Sequence, residues 1–171
     1  MQRNHAALGS AIFFFVAPGT VAGLLPGLIT GWRQGGDASA PLTIVGALIA
    51  LASLALLIEC FIRFVRGGGT PAPIAPTERL VLEGSYRFVR NPMYVAVMGL
   101  VLGQVLIFAS AALIAYAVIL WLIFHVFVLG YEEPRLILQY GQAYLDYRDH
   151  VRRWIPRLTP WTPEPTDEAD D

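Results

Sequence analysis

The chain contains no lysine; all twelve of its basic side chains are arginines. A single cysteine, Cys60, excludes an internal disulfide and any cysteine-based zinc site. The three histidines, His5, His125 and His150, lack metal-ligand spacing, so no metal site is expected. The first apolar stretch lacks a clear small-residue cleavage site, is long, and carries two Pro-Gly pairs at Pro18 and Pro26, so it does not read as a signal peptide. An all-arginine complement suits phosphate and carboxylate binding through the planar guanidinium fork. It equally fits the codon bias of a GC-rich gene.

What the chain has in abundance is apolar surface. Of its 171 residues 56% are hydrophobic, and the mean hydropathy is +0.55. Soluble domains usually hold about 45–50% apolar residues. Several apolar runs approach the roughly 20 residues needed to cross about 30 Å of hydrocarbon. The expectation is an all-α, polytopic membrane protein. The net charge of −1 hides an asymmetry. Beyond Leu158 the chain carries Glu164, Asp167, Glu168, Asp170 and Asp171 and no base, whereas the remainder carries 12 bases against 8 acids.

Four spans are predicted. The first runs from about Ala6 to Thr30, kinked or divided by Pro18 and Pro26. The second runs from about Pro41 to Val65 and ends at a Gly/Pro-rich linker, Gly67 to Pro73. A loop from Ile74 to Arg90 leads to the third span, Pro92 to Phe108. Ala109-Ser110 reads as a tight turn into the fourth, Ala111 to Gly130, so these two form a helical hairpin. Arg63, Arg66, Arg79, Arg87 and Arg90 flank the middle loop, and Arg135, Arg148, Arg152, Arg153 and Arg157 follow the last span. The positive-inside rule then puts both termini and the middle loop in the cytoplasm. From Pro134 to about Arg153, Leu136, Tyr140, Tyr144, Tyr147 and Val151 recur at steps of three and four, which predicts one amphipathic interfacial helix weakened at Gly141. The expected organisation is a two-span region at 1–66, a core at 67–157, and a disordered acidic tail at 158–171.

The stretch from Gly84 to Tyr94 is the most informative. It is polar and Arg-rich and runs straight into an apolar helix. Asn91 is expected to cap that helix, with Pro92 at its first position. A helix start flanked by Arg87, Arg90, Tyr86 and Tyr94 can hold a carboxylate or phosphate. At the far end of the hairpin, Glu132-Glu133 is either a solvated acidic helix start or an anchor for a cation or hydroxyl. Trp121, His125, Val128 and Glu132 fall on one helical face, which makes His125 either a functional group or one bonded to a neighbouring helix. Glu59 and Arg63 read as an intrahelical pair. Gly99 and Gly103, four apart, read as a close-packing surface.

In this order, Gly84, Tyr86, Arg90-Asn91-Pro92-Met93-Tyr94, Glu132-Glu133, Tyr140-Gly141-Gln142-Ala143-Tyr144-Leu145-Asp146-Tyr147 and Trp154-Ile155-Pro156 resemble the integral-membrane methyltransferase superfamily of isoprenylcysteine carboxyl methyltransferases and phospholipid methyltransferases. The resemblance covers residues 74–157. It implies S-adenosylmethionine as cofactor, bound by positions matching Glu78, Arg79, Leu80, Val81, Tyr86, Asn91, Pro92, Met93, Tyr94 and Glu132. It also implies a lipid or other lipophilic acceptor and a bacterial plasma membrane. His125, Glu133 and Arg90 are the candidate catalytic residues, the first two as bases should the acceptor be an amine. Two positions depart from the carboxyl methyltransferases. Asn91 stands where their eukaryotic members carry His, and Val128 where they carry a substrate-contacting Arg, which weighs against a prenylcysteine carboxylate. The alternative is a non-enzymatic small membrane protein that retains the fold without catalysis.

Overall fold

The computed structural model describes residues 16–33, 38–66 and 80–162. Among these residues every regular element is helical. Helix α1 covers Val16–Thr30, α2 Ala40–Arg66, α3 Pro92–Phe108, α4 Ala111–Tyr140 and α5 Gln142–His150. Both α4 and the Ala40–Arg63 part of α2 are long and apolar enough to cross a membrane, while α1 and α3 are shorter apolar helices. Seventeen residues of α3 rise about 25 Å. The expected linker at 67–73 lies outside the described residues.

Helix boundaries follow local chemistry. Pro92 occupies the first turn of α3. The hairpin reverses at Ala109, which takes a left-handed φ of +47°, and Ser110 then caps α4 by accepting from the Leu113 N–H at 3.4 Å. Asn91 departs from expectation, because it makes no side-chain cap. Its amide instead donates to Arg153 O at 3.2 Å. A buried carbonyl from a distant segment outcompetes the local amides for that side chain.

Small residues set the contact between α2 and α3, as the Gly99/Gly103 spacing predicts. A Cβ at Gly103 would lie 2.7 Å from Gly46 O and 3.0 Å from the Ala50 backbone, and one at Gly99 would strike the Ser53 hydroxyl. Backbones that approach this closely gain packing that lipid cannot supply. The core beside this seam joins Leu57 and Phe61 of α2, Ala96, Val97 and Val101 of α3, Ala117 and Leu120 of α4, and Ala22 of α1. The outward faces are apolar too, with Leu48, Leu51, Ile119 and Val126 all more than half exposed. Helices apolar all round belong in a bilayer.

Pro26 neither ends nor divides α1, which passes through a π-helical turn at Thr20–Leu24. Proline has no N–H to donate four or five residues back, so the carbonyls of Ala22 and Val21 need other partners. Gln104 Nε2 of α3 donates to Ala22 O and Tyr116 Oη of α4 to Val21 O, both at 2.7 Å. These two bonds tie α1 to the hairpin.

The predicted amphipathic helix is interrupted. Gly141, with φ +54°, ends α4 and redirects the chain into α5. The apolar stripe survives the break: Tyr144, Tyr147 and Val151 are buried against Leu136, Tyr140, Leu80 and Trp161. The helix also stops at His150, short of Arg153. The following non-helical segment, residues 152–162, lies as a strap on the loop before α3. Arg90 N donates to Arg152 O at 2.9 Å, Arg157 N to Phe88 O at 2.8 Å, and Trp161 N to Arg87 O at 2.9 Å. Arg87 adds bonds to Trp161 O and the Thr162 hydroxyl. Ordered structure therefore runs past the boundary expected at 158, because Arg87 and the loop backbone supply donors and acceptors for the strap. Residues 163–171 lie outside the described residues.

Candidate active site

At the arginine-rich end of the bundle α1, α3, α4 and a short 3-10 turn, Gly84–Arg87, enclose a cavity of about 290 Å³. Its two ends differ in chemistry. Tyr86, Arg90, Asn91, Tyr94 and Glu132 form a polar end. Ala17, Pro18 and Val21 of α1, Met93 and Val97 of α3, and Ile123, Phe124 and Phe127 of α4 form an apolar end.

Each polar group is positioned by its own element. The 3-10 turn carries Tyr86 and is fastened to the end of α2. Ser85 Oγ donates to Glu59 Oε2 at 2.6 Å, Glu59 pairs with Arg63, and Arg63 reaches Glu83 at 3.2 Å. Tyr147 Oη donates to Tyr86 O at 2.6 Å from the other side. Burial lifts the Tyr86 hydroxyl well above its ordinary pKa and pushes that of Tyr144 up to about 12, so both remain neutral phenols.

In α4 a π-helical turn at Val128–Glu132 inserts an extra residue. The insertion turns Glu132 and Glu133 by roughly 100° relative to an unbroken helix. Glu132 faces the cavity and accepts from Tyr94 Oη at 2.7 Å. Glu133 points away, buried, and meets Arg153 through two bonds of 2.6 and 2.9 Å. Arg90 Nη1 lies 3.1 Å from the same Glu133 oxygen that Arg153 Nε holds. Its alignment there is too poor for a hydrogen bond, so Arg90 keeps Nε and Nη1 buried without a hydrogen-bond acceptor.

Of the residues singled out from sequence, Tyr86, Arg90, Asn91, Met93, Tyr94 and Glu132 line the cavity. Pro92 is fully buried, Leu80 packs on the tyrosine cluster, and neither Leu80 nor Val81 is a wall residue. Glu78 and Arg79 lie outside the described residues. His125 and Glu133 stand behind the walls. The His125 ring stacks on Trp121, with centroids 5.0 Å apart, and its Nδ1 meets Trp154 Nε1 at 3.1 Å. Trp154 in turn lies edge-on to Tyr94.

A buried guanidinium with two nitrogens lacking a hydrogen-bond acceptor, beside an inward-facing carboxylate and an apolar extension, suits a zwitterionic ligand joined to something lipophilic. The phospholipid methyltransferase family model matches residues 41–143, more than half of the chain. The chain belongs to that family. No curated protein and no solved structure matches it. This phospholipid methyltransferase family member is thus a membrane protein of a methyltransferase family, and the matched span holds α2, α3, the 3-10 turn, Arg90 and Glu132. Outside it lie the α1 wall and the strap, both unanticipated from sequence. The α1 wall gave no signal, since Ala17 and Val21 look like any other residues of an apolar helix. Trp154 was one member of the matched motif, but nothing in its spacing pointed to His125.

Proposed function

We propose that the protein transfers a methyl group from S-adenosylmethionine to a phospholipid amine or similar lipophilic acceptor at the cytoplasmic membrane face, in a four-span bundle. The observation that carries this reading is Arg90, a wall residue whose Nε and Nη1 are buried without a hydrogen-bond acceptor, in a cavity that Glu132 also lines. An α-amino acid head needs that pair, a cation for its carboxylate and an anion for its ammonium. The cofactor supplies an electrophilic methyl on a sulfonium; the chain's residues supply orientation and dryness.

Arg90 would hold the carboxylate. Glu132, kept in place by Tyr94, would take the amino group or a ribose hydroxyl. Asn91 and Met93 complete that end. Phe124, Phe127, Ile123 and Val21 would exclude water and receive the apolar part of the acceptor, which enters from lipid past the apolar faces of α1 and α4. Alignment of acceptor and methyl is the main catalytic need of an in-line displacement. An ammonium acceptor must first shed a proton before its lone pair can attack. His125, paired with Trp154, is assigned a positioning role; Glu133, held by Arg153 and off the cavity wall, is assigned no contact with the ligand.

A transport role would need substrate groups in the first spans. The Pro26 turn instead has its free carbonyls satisfied by Gln104 and Tyr116, which favours the enzyme. Calorimetry on detergent-purified protein tests the reading. Micromolar S-adenosylmethionine binding, shared by S-adenosylhomocysteine and weakened at least about tenfold by Glu132→Ala, is expected. Absence of binding by folded wild-type protein would refute it.

A further inference from the structure

Glu133 is a buried carboxylate between two arginines, and the two contacts are unequal. Arg153 binds both of its oxygens, with Nε on Oε1 and Nη2 on Oε2. Arg90 is left with an ion-pair contact at 3.1 Å on Oε1 and no hydrogen bond. The two bonds from Arg153 fix the carboxylate in an orientation that leaves Arg90 Nη1 near Oε1 but out of hydrogen-bond alignment. The guanidinium of Arg90 is therefore held near an anion without a hydrogen bond to it, in a residue that lines the cavity wall. Arg153 comes from the strap, tens of residues away in the chain, and its own carbonyl accepts from Asn91, the residue after Arg90. Arg90 also hydrogen-bonds the Tyr144 hydroxyl and lies near that of Tyr147, both neutral phenols.

We propose that Arg153 is a positioning residue that keeps Arg90 available for an anionic ligand by occupying Glu133. The proposal rests on the reading that Arg90 receives the carboxylate of S-adenosylmethionine. Without Arg153, Glu133 is a buried carboxylate lacking its main partner, and the nearest cation is Arg90. A bidentate Arg90–Glu133 pair would form, and the ligand would have to displace it. With both Arg153 and Glu133 neutralised, no competitor remains.

Removal of Arg153 should therefore weaken binding while removal of Glu133 should not, and the second should rescue the first, which a simple scaffolding role does not produce. The experiment is S-adenosylmethionine calorimetry on the full chain in detergent, for wild type, Arg153→Met, Glu133→Gln and the double variant. Arg153→Met should weaken binding by roughly tenfold or more. Glu133→Gln should bind no worse than wild type, and this single variant remains informative if Arg153→Met does not fold. The double variant should return to within about twofold of wild type. A double variant as weak as Arg153→Met, or a loss of affinity in Glu133→Gln alone, would overturn the proposal while leaving the methyltransferase reading in place. No binding by wild type would sink that reading, and this inference with it.

Discussion

Replacing Gly84 by alanine should loosen the turn that carries Tyr86 into the cavity wall. Gly84 has a φ of +55°, where a Cβ costs about 1–2 kcal/mol. The added methyl would also occupy the place of the Arg63 guanidinium. Arg63 can swing away, being the far end of a flexible side chain, but it would then leave Glu59 and Glu83. Both pairs are partly exposed, so their loss adds at most about 1 kcal/mol each. A total of about 2–3 kcal/mol is expected. The assay is denaturant or thermal unfolding in detergent, run as a cycle with Arg63→Ala. In the Arg63→Ala background the steric part vanishes, and only the backbone cost of about 1–2 kcal/mol should remain. A cost below about 0.5 kcal/mol for Gly84→Ala, smaller than the left-handed backbone alone demands, would refute the argument. Equal costs in the two backgrounds would refute the part that invokes Arg63.

Gln104→Leu removes the donor to Ala22 O and should cost about 1 kcal/mol in unfolding experiments. That cost should shrink when Pro26→Ala restores a backbone donor to the same carbonyl, so an undiminished cost would count against the π-turn account. Tyr94→Phe deletes the hydroxyl that fixes Glu132 and should weaken S-adenosylmethionine binding several-fold, on the scale of one charge-assisted bond, while circular dichroism stays unchanged. Unaltered affinity would mean that Glu132 needs no orientation.

The legible parts of this protein were those decided by neighbours in sequence. Pro92 at the start of α3, the Ala109-Ser110 reversal, the Gly99/Gly103 seam and the Glu59–Arg63 pair all depend on groups at most four residues apart. The tyrosine stripe was legible for the same reason, although Gly141 broke the helix that was expected to carry it. Partnerships across long separations were not legible. Asn91 looked like a cap because nothing local announces the Arg153 carbonyl, 62 residues on. Glu132 and Glu133 looked like one acidic pair, yet the π turn sends one to the cavity and the other to Arg153. His125 was read as one of two things, a functional group or a residue bonded to a neighbour. Its contact with Trp154 is of the second kind, but to the strap rather than to a helix.

The strap also has a meaning in time. Chains are made from the N-terminus, and elements fold as they emerge. The four apolar helices can insert and pack while residues 152–162 are still being synthesised. Until that segment is out, Arg90 and Glu133 face each other without Arg153, and the carbonyls of Arg87 and Phe88 lack the strap's donors. A nascent chain of this protein would thus hold its bundle before Arg153 reaches Glu133, and the candidate site would be completed last, by the strap.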